Sequence, residues 1–448
     1  MIQLIYIEIF IMNENKNKLR EQIQRILTKG TFASDVAVMT SGTGLGQLIF
    51  LGFSPILMRL FTPGAFGNLA LVMSISAIIA IVITLKYEMA IPIASEDKKA
   101  INLFILSIGL STMFTIVFLI FFLFIKTTIM SFLNFPDSKI LFFIPLTAFI
   151  EATINTFHYW FIREKRFAIP SISRTLFYSG MVGTQFLLFF TINEKIIALL
   201  AGFIIGQLFS LLFLVIIFFK EKNNISLYFN FNMIFEEAKK YKKFPLFSTW
   251  NAGINTLARN LPPILLNLFF TKAIVGQFYI AMRLMNIPLN ILQSSVSQVF
   301  YQRVSELIKQ KQSLKQFFNT TVLKLGAIIF VPLLIIFFWG ESILSFILGA
   351  KWKLAGQLIS ILVPLYFFRF IISPMSTIFA ATGKQHFALI WQIAYALFTF
   401  LCFYIGGNMN VSIQDISLFF SWISAGFYLI MLLLLQKIVQ NIPEEYYR

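Results

Sequence analysis

Charge is scarce in this sequence, and so are the residues that do most enzymatic chemistry. Only 12% of its 448 residues are Asp, Glu, Lys or Arg, about half of what the polar shell of a soluble domain needs. There are two histidines, His158 and His386, and neither has a partner at the spacing of a metal site or a catalytic triad. The one cysteine, Cys402, sits in an apolar run, which excludes an intrachain disulfide framework and a Cys/His metal cluster. These shortages argue against an enzyme, a metal and a cofactor.

Apolar residues are abundant instead, at 58% of the chain with a mean hydropathy of +0.81. A membrane span takes about 20 such residues, and backbone groups in hydrocarbon must bond within their own segment, so long apolar runs are read as helices. Twelve runs meet this reading, at about 36–58, 66–85, 103–125, 140–162, 171–191, 196–219, 246–270, 273–300, 321–339, 354–380, 385–406 and 412–436. The net charge of +17 follows from where the bases lie. Taken alternately, one set of connecting segments holds 26 Lys and Arg, including Lys86, Arg163, Arg174 and Lys239–Lys243, and the opposite set holds seven. Cytoplasmic loops carry such an excess. Both termini are therefore expected in the cytoplasm of a bacterial cell, with the chain crossing its inner membrane many times.

The expected fold is all-α, with about twelve transmembrane helices in two six-helix lobes around a central cavity. Residues 1–33 form a cytoplasmic N-terminal segment, in which Met12 reads better as a start than Met1. A lobe at 34–219, a cytoplasmic linker at 220–245, a second lobe at 246–438 and a tail at 439–448 follow. A repeat supports the division. Pro55-Ile56-Leu57, Leu60-Phe61 and Gly67 in the first half match Pro263-Ile264-Leu265, Leu268-Phe269 and Gly276 in the second, slipping one residue before the glycine. Parallel copies of this kind are one way that carriers build alternating access.

Charges inside the apolar runs are the informative residues, because each costs roughly 2.5–3.5 kcal/mol at mid-helix unless it finds a partner or a wet cavity. Arg259, Arg283 and Arg369 are buried this way in the second half, with Glu151 as the comparable acid in the first. An excess of fixed positive charge suits an anionic cargo, and guanidinium groups match phosphate oxygens. The plainer reading is an Arg–Glu pair or snorkelling to a nearby interface. Asp35, Lys86, Glu88 and Arg59 stand at helix ends, where capping and snorkelling compete with roles as gate or ion-coupling groups. The Lys239–Lys243 cluster sets topology and meets anionic lipid. Ser41-Gly42-Thr43-Gly44-Leu45-Gly46 looks like a phosphate loop but follows no strand, so it reads as small-residue helix packing.

Several motifs together resemble the Wzx-type lipopolysaccharide and polysaccharide (O-antigen) flippases. They are Ser34-Asp35-Val36-Ala37-Val38, Ser54–Pro63 with Phe66-Gly67, Leu85-Lys86-Tyr87-Glu88, Gly276-Gln277-Phe278-Tyr279, Arg283-Leu284, Pro288 and Gln298–Arg303. The resemblance runs from about residue 34 to 437, with Lys86 where the family usually has Arg. It implies the fold shared with the MATE exporters. It also implies an undecaprenyl-diphosphate-linked oligosaccharide as cargo, moved from the cytoplasmic to the periplasmic leaflet. Arg259 and Arg283 would hold the diphosphate, and Glu151 would neutralise one of them or couple H+ or Na+. Other polysaccharide-assembly membrane proteins are expected partners, and nucleic acid is not. Two alternatives share some of these features: a MATE-like exporter of small molecules, and a membrane polysaccharide polymerase or ligase.

Overall fold

The computed structural model describes residues 32–135, 138–221, 229–310, 312–382 and 384–440. The proposed start at Met12, the basic segment before residue 32, part of the linker and the tail beyond 440 lie outside the described residues. So does the side chain of Asp35, whose backbone belongs to the first helix.

Among the described residues the chain is helical throughout, with no strand. The first half contains α1 (Phe32–Leu60), α2 (Pro63–Thr84), α3 (Asp97–Phe124), the short α4 (Lys126–Leu133), α5 (Lys139–Arg163), α6 (Ala168–Thr191) and α7 (Lys195–Glu221). A connecting helix, α8 (Phe231–Lys240), leads to the second half. There follow α9 (Thr249–Phe269), α10 (Lys272–Lys309), α11 (Leu314–Leu348), α12 (Lys353–Ile361), α13 (Val363–Ile372), α14 (Thr377–Ala381), α15 (Gln385–Asn408) and α16 (Ile413–Gln440). Each expected apolar run coincides with a helical stretch. The tenth is broken into α12, α13 and α14, with Pro364 and Pro374 each at the start of a new turn, where a missing N–H costs nothing. The linker also holds a helix, which its charged sequence did not announce.

Nine helices among the described residues are long and apolar enough to cross a membrane. The long helices that fall short are α6, α9 and α10. These carry Ser171, Ser173 and Arg174, then Asn251, Asn255 and Arg259, then Arg283, Asn286 and Asn290. In α9 and α10 part of this polar set lines one cavity, and in α6 Ser173 is buried while Arg174 donates to Thr43. The protein is a multi-pass membrane protein in which the helix ends alternate between two faces. One face carries α8 and is called here the linker face; the other is the far face.

The two halves meet where the repeat predicts equivalence. Gly67 of α2 and Gly276 of α10 face one another so closely that a Cβ on Gly67 would run into the Lys272 carbonyl, and one on Gly276 into that of Pro63. Small residues let helix backbones approach in this way. The Ser41–Gly46 run serves packing too, with Gly42 against Ser171 and Gly46 against Tyr178 of α6.

Candidate functional site

A cavity of about 410 Å³ opens within the second half, walled by α9, α10, α13, α15 and α16. Arg259 of α9 and Arg369 of α13 both line it, and Arg259 feels the charge of Arg369. Neither guanidinium has an ion-pair or hydrogen-bond partner among the described residues, and no carboxylate lines the cavity there. The rest of the wall is uncharged, with Asn255, Asn286, Asn290 and Gln392 among apolar side chains such as Met282 and Leu365, beside a flat aromatic surface. Trp391 and Tyr395 form that surface, one helical turn apart, with ring centroids 5.1 Å apart and planes 4° from parallel. The Trp391 indole donates to the Phe427 carbonyl at 3.0 Å, which holds the ring in place.

Arg259 is ten residues from the start of α9 and Arg369 lies midway along its broken helix, so at 1.5 Å per residue neither sits at a helix end. Yet Arg259 and Asn290 are exposed. Polar groups can be exposed at mid-helix only if they face a wet chamber and not lipid.

Arg283 is placed apart from this pair. It stands on the seam between the halves with its guanidinium carbon 3.8 Å from the centre of the Phe50 ring, a cation–π contact. It donates to the Tyr279 hydroxyl at 2.5 Å. The next residue on each helix, Leu51 and Leu284, borders an apolar groove of about 320 Å³ that also involves Pro55, Ile343 and Leu344. A cation on one side of the seam and a hydrocarbon groove on the other are thus separated by a single residue step along both helices.

The remaining expected residues fall elsewhere. Glu151 is half-buried in α5, close enough to Lys86 to feel its charge, and no ion pair joins it to Arg259 or Arg283 among the described residues. Lys86 lies in a left-handed turn after α2 and pairs with Glu88 at 3.2 Å. Glu88 is 1% exposed and its second carboxylate oxygen has no hydrogen bond. Arg59 caps the far end of α11, donating to the carbonyls of Phe346 at 2.9 Å and Ile347 at 3.3 Å.

Several residues carry more than their sequence positions suggested. The Lys351 ammonium donates to the Arg59 carbonyl at 2.8 Å and the Trp352 indole to the Met58 carbonyl at 2.7 Å. Lys272 bonds the Leu133 carbonyl and Asn267. With Arg59, these contacts tie the halves together at the far face. Arg174, counted above as a topology signal, points into the first half and donates to Thr43 at 2.7 Å. His158 is buried, with its ring nitrogen 3.1 Å from Ser173. The mid-helix asparagines of α9 and α10 were the sequence signal for the cavity, since amides seldom sit among lipid tails without a reason.

The sequence pattern of the family described as polysaccharide biosynthesis protein matches residues 56–356, well over half of the chain. The chain belongs to that family. Within the polysaccharide biosynthesis proteins it is similar to the teichuronic acid biosynthesis protein TuaB of Bacillus subtilis (strain 168), 22% identical over 180 residues, which is 39% of this chain and 37% of that protein. The match thus spans little more than a third of its curated relative. Solved structures extend the likeness over nearly the whole chain. The lipid II flippase MurJ, in an inward closed conformation, matches at a TM-score of 0.70 and 13% identity, covering 91% of this chain and 88% of that one. An inward-facing multidrug resistance MATE family transporter of the MOP superfamily matches at 0.62 and 14%, covering 91% and 96%. A MOP superfamily transporter from Pyrococcus furiosus, whose structure is described as having a binding pocket of reversed polarity, matches at 0.62 and 13%, covering 91% and 96%. These identities speak to fold alone. This polysaccharide biosynthesis family member has the MATE-like transporter fold.

Proposed function

We propose that this protein is a flippase. It moves a polyprenyl-diphosphate-linked oligosaccharide from the cytoplasmic to the outer leaflet of a bacterial inner membrane by alternating access between two lobes, residues 34–219 and 246–438. The linker face, where the Lys- and Arg-rich segments gather, is taken as cytoplasmic, with both termini on that side. The observation that carries the reading is the acid-free cavity in which Arg259 and Arg369 stand without counter-charges. Two guanidiniums lining one cavity repel each other, so an anion is the natural third party. Asparagine and glutamine amides suit sugar hydroxyls, and the Trp391–Tyr395 surface suits the apolar face of a pyranose ring. Arg283 would meet the diphosphate at the seam, where the groove bordered by Leu51, Leu284 and Ile343 accepts the first units of the polyprenyl chain. Glu151, Lys86 and Glu88 are left as the candidates for coupling H+ or Na+.

A MATE-like exporter of small cations shares the fold, but the absence of carboxylates from the described cavity wall opposes a cationic cargo. A deletion strain complemented with Arg259→Gln/Arg369→Gln, or with Arg283→Gln, tests the reading at matched membrane expression. The expected result is loss of surface polysaccharide with lipid-linked single repeat units accumulating inside the cell. Normal surface polysaccharide from both variants would overturn the site. Single units displayed outside would point to a polymerase, and drug accumulation in the deletion strain to an exporter.

A further inference from the structure

The connecting helix α8 is outside the spans, yet it is unusually greasy on the side turned away from the protein. Its inner side, with Met233, Ile234, Glu237 and Ala238, packs on the first half and is wholly or partly buried. Its outer side begins with Phe231 and Phe235, each 63% exposed and in edge contact at 5.0 Å. It ends in Lys239 and Lys240, followed by Lys242 and Lys243, all exposed. The turn that leads into α9 continues the apolar surface with Leu246 and Phe247, at 57% and 69%, and the start of α9 adds Trp250, at 70%. A surface bathed only in water would not keep so many large apolar side chains together.

The helix is fixed from beneath. Asn230 caps it, accepting from the Met233 N–H at 3.1 Å, and the Asn230 N–H donates to Asn102 of α3 at 3.0 Å. The Tyr87 hydroxyl donates to the Ala238 carbonyl at 3.0 Å. Tyr87 stands between Lys86 and Glu88, so α8 is bonded directly to the turn that holds the buried ion pair.

We infer that the outer surface of α8 and the turn after it binds the anionic phospholipid of the membrane leaflet on the linker face, and that this binding steadies the Lys86–Glu88 turn. Aromatic rings enter the headgroup boundary while lysines reach the phosphates, the combination that holds interfacial helices on membranes. Charge complementarity is direct: among the described residues of α8 and the turn after it, Lys239, Lys240, Lys242 and Lys243 are accompanied by one exposed acid, Glu236, with Glu96 before α3 near enough to feel Lys240. Glu237 faces inward, 3.8 Å from Lys240. Each lysine near an anionic surface contributes on the order of 1 kcal/mol, so the four together decide between a docked and a loose helix.

The test uses the full chain in nanodiscs of phosphatidylcholine alone or mixed with phosphatidylglycerol, read by hydrogen exchange over residues 229–250. Phosphatidylglycerol is expected to slow exchange of the α8 amides about tenfold or more. Lys239→Gln/Lys240→Gln/Lys242→Gln/Lys243→Gln is expected to abolish that response, and Phe231→Ser/Phe235→Ser to weaken it in both lipids. Tyr87→Phe, which leaves the lipid-facing surface intact, should keep the lipid response while exchange in the 85–88 turn rises. A melting midpoint within the native range in detergent shows that the variants fold. Identical exchange in the two lipids would overturn the inference. So would a lysine variant that loses surface polysaccharide in cells while the native chain ignores lipid charge, an outcome that points to a protein partner at this surface.

Discussion

Lys86 and Glu88 show at residue scale why a buried pair must be judged by what is left when one partner goes. Glu88 is 1% exposed and Lys86 16%, so the carboxylate depends on the ammonium beside it. Lys86→Met should destabilise the protein by about 3–5 kcal/mol, because an uncompensated charge stays buried, whereas Lys86→Met/Glu88→Gln should recover most of that loss. Thermal unfolding in detergent checks both. If the double variant is stable and still supports full surface polysaccharide, the pair is structural and neither a gate nor an ion-coupling site. The arginines differ from this pair in kind. Lys86 has its acid two residues away, legible in the sequence, while Arg259 and Arg369 have none among the described residues, and nothing in the linear order said that those two would share a cavity and Arg283 would not.

Helices in this protein are specified by composition, and their contacts by small residues. Glycine is a poor helix former in water, so its presence at the crossing of α2 and α10 reflects the neighbour and not the helix. At Gly67→Ala or Gly276→Ala the new methyl would meet backbone, which cannot rotate away. Overpacking of this sort costs about 1–3 kcal/mol, and each variant should lower the melting midpoint and the transport of its cargo. Gly109→Ala in α3 is the control, since nothing lies within 4 Å of a Cβ there, and it should be neutral or slightly stabilising. Equal behaviour of all three would mean that the halves do not press together at this crossing. The repeat containing Gly67 and Gly276 was visible in the sequence because a hydrophobic hairpin was copied, but that the two glycines face one another is a property of the assembled halves.

Across the whole molecule the far face is closed by bonds between the halves. Arg59 holds the last carbonyls of α11, Lys351 and Trp352 hold those of α1, and Trp352 is buried against Phe66 at 5.5 Å. Among the described residues no such bonds cover Arg259 and Asn290, which are exposed. Charged hydrogen bonds contribute about 1.5–3 kcal/mol each. Arg59→Ala/Lys351→Met should therefore shift the balance toward far-face opening by about tenfold or more. Leu57, 1% exposed beside this latch, reports it: in a Leu57→Cys, Cys402→Ser chain, labelling by a hydrophilic maleimide should speed up correspondingly. Unchanged labelling would show that these bonds do not keep the face shut.

The chain by itself determined that it enters a membrane, and roughly how many times. These are sums over runs of twenty or so neighbours, and lipid reads them locally. It also marked which residues are costly in oil. Only the tertiary structure decided what those residues do. Arg59 meets Ile347 across 288 positions of sequence, Trp391 and Tyr395 become a wall only when α15 turns toward α9 and α13, and Glu151 lies within reach of the Lys86 charge. Side-chain partnership depends on how helices rotate and cross, which is fixed by packing among all of them at once and leaves no trace in any single run.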